Sequence, residues 1–142
     1  MKKIAYLVAL VSASAIIIIS CTKVGGAAED DPTAIDNSDN VPPVLTITRP
    51  TPNQVYTSGD SIIVEGNAKD EKKMYKGHVQ LKDLNGGLVT DSYYETHFLS
   101  ILNFRLAYKA IVSTSTEYTV YIEFQDHGLN TVSQTIKVKV NP

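Results

Sequence analysis

Tyr118-Thr119-Val120-Tyr121-Ile122-Glu123-Phe124-Gln125, followed by Asp126-His127-Gly128-Leu129-Asn130, is the stretch that decides the fold of this 142-residue chain. Tyr118, Val120, Ile122 and Phe124 fall on one side of a two-residue period; Thr119, Tyr121, Glu123 and Gln125 fall on the other. Successive strand side chains point to opposite faces, so this run predicts a strand with one face on a core and one toward solvent. The five residues after it carry Asp, Gly and Asn, which close turns by side-chain hydrogen bonds or by freedom of φ.

The same period recurs on both sides of that run. Val44-Leu45-Thr46-Ile47-Thr48 alternates and stops at Arg49-Pro50. Ile62, Val64, Gly66 and Ala68 share a face, as do Tyr75, Gly77, Val79 and Leu81. Asp83-Leu84-Asn85-Gly86-Gly87 reads as a hairpin loop, because Asn-Gly accepts positive φ. The chain returns over Leu88 to Tyr94, and Phe104, Leu106 and Tyr108 alternate further on. His97 to Leu102 reads as a helical turn or a strand start. Val132, Ile136, Val138 and Val140 close the domain, with a bulge expected near Ser133-Gln134, where the phase is broken. About seven short strands with turn signals between them, and no amphipathic helix, predict an all-β, Ig-like antiparallel β-sandwich over residues 44–142. A domain of that size buries roughly 65% of its unfolded surface, enough for one core.

Over residues 44–142 the chain resembles bacterial immunoglobulin-like domains of envelope lipoproteins. The residues that carry the likeness are Pro43-Val44-Leu45-Thr46-Ile47 with Pro50, Gly59-Asp60-Ser61-Ile62 with Asp70, Glu117-Tyr118-Thr119-Val120-Tyr121, and Asp126-x-Gly128-x-Asn130. Tyr118 stands where such folds place a tyrosine corner, whose hydroxyl ties back to upstream backbone. The cysteine pair and the tryptophan of antibody domains are absent, so the resemblance implies architecture and little function.

The N-terminus has a different character. Lys2 and Lys3 precede an uncharged apolar run from Ile4 to Ile19, then Ser20 and the lone cysteine, Cys21. A charged start, an apolar run and a small residue form a secretory signal. Ile18-Ile19-Ser20-Cys21 resembles the lipobox of bacterial lipoproteins. That resemblance implies cleavage after residue 20 and lipidation of Cys21, with acyl chains anchoring the protein in a membrane. Thr22 follows the cysteine; by the same resemblance, the absence of Asp there implies the outer membrane. An uncleaved span is the competing reading of the apolar run, which is near the lower limit for crossing a bilayer.

Residues 21–43 are expected to form the lipidated cysteine and a flexible acidic tether. From Thr22 to Pro43, five carboxylates face one lysine and bulky apolar residues are almost lacking, so composition offers nothing to repay ordering. Ala27-Ala28-Glu29-Asp30-Asp31 also resembles the acidic export tags of surface lipoproteins. Asp36-Asn37-Ser38-Asp39-Asn40-Val41-Pro42 resembles the calcium-binding linker of cadherins, D-x-N-D-N-x-P. Ser38 replaces an amide there and the rest of the ligand set is not recognisable, so the run is read as a polar linker.

A net charge of −2 and the lack of a basic, aromatic-laced stripe exclude nucleic acid as an expected partner. His78, His97 and His127 sit in different elements, and no catalytic or zinc spacing is present, so no enzyme is expected. Asp70, Asp126 and Asn130 fall in loops that share one end of an Ig-like plan. They meet there as a calcium site, or Asp126 and Asn130 merely cap their own turn. Tyr93, Tyr94, His97 and Tyr121 form the densest aromatic and polar group, read as a ligand face for protein or glycan or as ordinary strand packing. The functional expectation is a lipid-anchored envelope protein presenting a binding or adhesion module. The alternative is an accessory lipoprotein of an envelope complex without a ligand site of its own.

Overall fold

The computed structural model describes residue 31 and residues 33–142; the signal, the lipobox and Cys21 lie outside them. Eight strands follow one another: β1 (Val44–Arg49), β2 (Val55–Thr57), β3 (Ser61–Lys69), β4 (Met74–Lys82), β5 (Leu88–Glu95), β6 (Ile101–Lys109), β7 (Thr116–Asp126) and β8 (Thr131–Asn141). They form two sheets, β1-β3-β6 and β2-β8-β7-β4-β5. Strands β1, β3 and β6 take the A, B and E places of an Ig-like sandwich; β4, β5, β7 and β8 take C, C′, F and G. The all-β, Ig-like sandwich expected from the alternation is therefore the fold. Among the described residues no helix is long and apolar enough to cross a membrane.

The count differs by one strand. The extra element, β2, has three residues and pairs in parallel with the end of β8, too short for periodicity to reveal. The bulge expected near Ser133-Gln134 is not there: β7 and β8 stay in unbroken register from Thr116↔Val140 to Gln125↔Thr131. Gln134 keeps the inward phase opposite Ile122 but is exposed, and that is what disturbed the pattern. His97 to Leu102 is neither helix nor continuous strand; the chain bends until Ile101 opens β6.

The inward faces meet in one core. Ile62, Val64, Val79, Leu81, Val120, Ile122 and Phe124 have no exposed surface, and Phe104 of one sheet stacks on Phe124 of the other at 5.2 Å. Gly77 of β4 lies directly over Phe124: a Cβ there would stand 2.2 Å from its ring. Gly86 closes the β4–β5 hairpin with φ of 83°, as the Asn-Gly pair predicted. Tyr118 is buried in the tyrosine-corner place, but its ring tilts against Tyr108 at 6.0 Å. Among the described residues its hydroxyl makes no hydrogen bond to backbone, so the expected corner is not formed.

The expectation of a free tether is corrected for its second half. Residues 33–43 lie against one end of the sandwich, with Asp39 and Pro43 buried. Composition is a poor guide here because polar groups, not apolar ones, hold this strap in place.

Candidate functional site

The strap is fixed by hydrogen bonds to the loops that follow β3 and β7. The Asp36 N–H donates to the His127 carbonyl at 2.9 Å, and Asn130 Nδ2 donates to the Asp39 carbonyl at 3.2 Å. Lys72 Nζ reaches Asp36 Oδ2 at 2.8 Å and Ser38 Oγ at 3.3 Å. That bond, with those from Ser38, holds the Asp36 carboxyl well below the usual carboxylate range. Gly128 makes the approach possible. A Cβ on Gly128 would stand 2.7 Å from both the Cβ and the carbonyl oxygen of Asp39.

This docking completes a group of three buried acids. Asp39 is 4% exposed, Asp70 3% and Asp126 not at all. One carboxylate oxygen of each lies within 4.8 Å of those of the other two. In every case one oxygen is used locally. Asp39 Oδ1 accepts from the Val41 N–H at 3.1 Å, Asp70 Oδ1 from the Lys72 N–H at 2.8 Å, and Asp126 Oδ1 from the Asn130 N–H at 2.9 Å. Asp39 Oδ2 and Asp70 Oδ2 have no partner. Among the described residues no basic side chain forms an ion pair with any of the three. Burial, aided by the charges of Asp39 and Asp126, pushes the Asp70 carboxyl above its ordinary value.

The sequence suggested Asp70, Asp126 and Asn130 for this place, and the structure brings the three to one end. Asn130, however, turns its amide nitrogen to the acids, donating to Asp126 Oδ2 at 3.0 Å as well as to the strap. It caps its turn and positions Asp126 and Asp39, and it does not present an oxygen as a ligand. Asp39 takes the third corner. The cadherin-like run that contains it reads as linker in the sequence, and only the folded chain carries Asp39 to Asp70 and Asp126.

Beside the acids lies a histidine pair. His97 Nδ1 and His127 Nε2 are 3.1 Å apart, and Tyr75 packs on both rings at 5.4 and 5.1 Å. His127 is buried and its Nδ1 sits 3.1 Å from the Ala34 carbonyl, so this ring too touches the strap. His97 is thus part of the strap end of the molecule, and its Nε2, 3.5 Å from Glu95 Oε1, reaches the carboxylate that also accepts from Tyr93.

The tyrosines divide by strand parity. Tyr93 and Tyr121 lie on the outer face of the five-stranded sheet, in adjoining rows. Tyr93 pairs across the ladder with His78, and Tyr121 with Gln80. The His78 ring meets Tyr93 edge-on at 5.5 Å. Lys82 Nζ stands 5.0 Å over the Tyr121 ring. Tyr93 donates to Glu95 Oε2 at 3.0 Å, and Tyr121 donates to Glu123. Tyr94 points the other way, into the gap between the sheets. Its hydroxyl donates to the Arg105 carbonyl and accepts from the Arg105 N–H, both at 2.9 Å. The four-residue face suggested by the sequence is therefore two tyrosines with His78, Gln80, Glu95 and Glu123.

Strand order and two-layer packing define the class: an Ig-like β-sandwich module. Solved β domains with a partly similar arrangement include an engineered protein, overlaid with a TM-score of 0.48 at 16% identity over 70% of this chain and 20% of that one. CopC from Methylosinus trichosporium OB3b overlays with a TM-score of 0.45 at 13% identity, over 70% of this chain and 95% of its own. Fibronectin(III)-like modules of CbhA from Clostridium thermocellum reach a TM-score of 0.41 at 17% identity, over 71% of this chain and 46% of theirs. These likenesses concern strand arrangement alone. No protein-family model and no curated protein matches the chain.

Proposed function

We propose that the chain is a lipid-anchored cell-envelope protein that presents its β-sandwich as a binding module for an envelope glycan or protein. The observation that carries the binding half is the outer face of the five-stranded sheet. Tyr93 is 54% exposed, and His78, Gln80, Tyr121 and Glu123 flank it across the ladders. Tyrosine rings offer flat apolar surface at low entropic cost, and the carboxylates and amide around them accept hydroxyl hydrogen bonds. That combination suits sugar rings, whose faces stack and whose edges donate. The anchoring half rests on the lipobox resemblance around Cys21 and on the outer-membrane inference from Thr22.

The second reading, an accessory lipoprotein covered by a partner, draws support from Phe98 and Leu99 in the β5–β6 connection and Ile101 at the start of β6, exposed at 73%, 52% and 47%. Two measurements test the proposal. Intact mass of the membrane-extracted protein should begin at Cys21 with added acyl mass, and Cys21→Ala should abolish both; retention of residues 1–20 without lipid would contradict the anchor. Gel retardation by purified envelope polysaccharide should be lost in the Tyr93→Ala/Tyr121→Ala variant. No retardation of the wild type, with cross-linking to a protein through the Phe98 loop, would favour the accessory reading.

A further inference from the structure

We propose that Asp39, Asp70 and Asp126 hold a calcium ion that clasps the strap to the sandwich. The site is independent of the sheet face and of the anchor. Asp39 Oδ2 and Asp70 Oδ2 are buried acceptors with no donor in reach, on residues 4% and 3% exposed. Buried acceptors and charges are normally paired, and here Lys72, two residues after Asp70, is spent elsewhere: it binds Asp36 and Ser38. Three converging carboxylates, two of them with an unpartnered oxygen, ask for a positive charge between them.

The donor set chooses the ion. All three donors are carboxylate oxygens, with no nitrogen or sulfur among them, which suits a hard cation. Three oxygens at most 4.8 Å apart leave a point that is no more than roughly 2.8 Å from any of them. Closing to the calcium–oxygen range of about 2.3–2.6 Å takes a few tenths of an ångström; magnesium, at about 2.1 Å, asks for more movement and near-ideal octahedral order. Calcium also tolerates irregular ligation completed by water.

The placement of the ligands gives the ion a task. Asp70 follows β3, Asp126 ends β7 and Asp39 belongs to the strap, so one ion ties three separately folded pieces. It fixes the direction in which the chain leaves the sandwich toward its N-terminus. Without it, like charges at the end of the molecule work against docking. His127, through Ala34 and Asp36, Lys72, through Asp36, and Asn130, through Asp39, then hold the strap without an ion.

The test uses the full chain, purified as the cell makes it, stripped with EGTA and titrated with calcium chloride. Calcium at roughly 10 mM should raise Tm by roughly 5–10 °C, for an affinity in the 10⁻⁴–10⁻³ M range of extracellular modules. Metal analysis after dialysis against calcium should return one ion per chain. Asp39→Asn lies on the strap outside the hydrophobic core, so it should fold and yet lose both the Tm response and the bound ion; Asp70→Asn should do the same. A folded wild type with no Tm response and no retained calcium would overturn the proposal. An undiminished response in Asp39→Asn, or an equal response to magnesium or to ionic strength, would also overturn it.

Discussion

Gly128 and Asp39 approach so closely that a single methyl group on the glycine would stand 2.7 Å from the aspartate's Cβ and carbonyl oxygen. This contact joins the turn after β7 to the strap, and it is a close approach of backbone that only glycine permits.

Gly128→Ala should therefore expel the strap while leaving the sandwich folded. Urea unfolding should show a loss of about 1–3 kcal/mol, the usual cost of forcing extra volume into packed structure. Near-unchanged far-ultraviolet circular dichroism should accompany it. An unaltered midpoint would mean that the strap is not seated on this turn.

Gly77→Ala acts on the core instead. Its Cβ would meet the Phe124 ring at 2.2 Å and the Glu123 carbonyl at 2.6 Å. The ring is stacked on Phe104 and cannot retreat without disturbing both sheets. The expected cost is about 3 kcal/mol, at the upper end for overpacking, read as a lowered urea midpoint at constant m-value.

Tyr94 and Tyr93 are neighbours with opposite roles. Tyr94→Phe removes the hydroxyl that serves both the N–H and the carbonyl of Arg105, and should cost about 1 kcal/mol without touching the outer face. Tyr93→Ala should leave stability within about 0.5 kcal/mol. Equilibrium denaturation of the two variants side by side checks the division, which reversed magnitudes would refute.

Stability should also decline in alkali. Burial, then the neighbouring Tyr108, raises the Tyr118 phenol above its ordinary value of 10.0. The folded chain keeps that proton longer than the unfolded chain does. The contribution is complete below pH 10 and is lost as pH rises through the higher folded value. Tyr118→Phe has no proton to lose, so its Tm should fall less steeply than the wild type's between pH 10 and the folded value. Parallel Tm curves would contradict the assignment.

The sandwich was legible because β3, β4, β6 and β7 each bury one face and solvate the other, so alternation printed the fold into the chain. Three-residue β2 left no period to read. Gln134 broke the pattern of β8 while keeping its register. The site was legible only in part. Asp70 and Asp126 stand at strand ends, where turn chemistry draws attention to them, and the Ig-like plan puts those ends together. Asp39 lies in a run whose composition predicts disorder, and its place depends on Gly128 and Asn130 far along the chain. Tyr93 and Tyr94 are adjacent, so the strand's two-residue period sends them to opposite faces, and closeness in sequence does not make them one cluster.

Amide hydrogen exchange over residues 33–41, compared in calcium and in EGTA, tests the central claim most directly. With calcium the Asp36 and Val41 amides should be strongly protected, and without it they should exchange rapidly, while β7 stays protected in both. Equal exchange of the strap in the two conditions would contradict it.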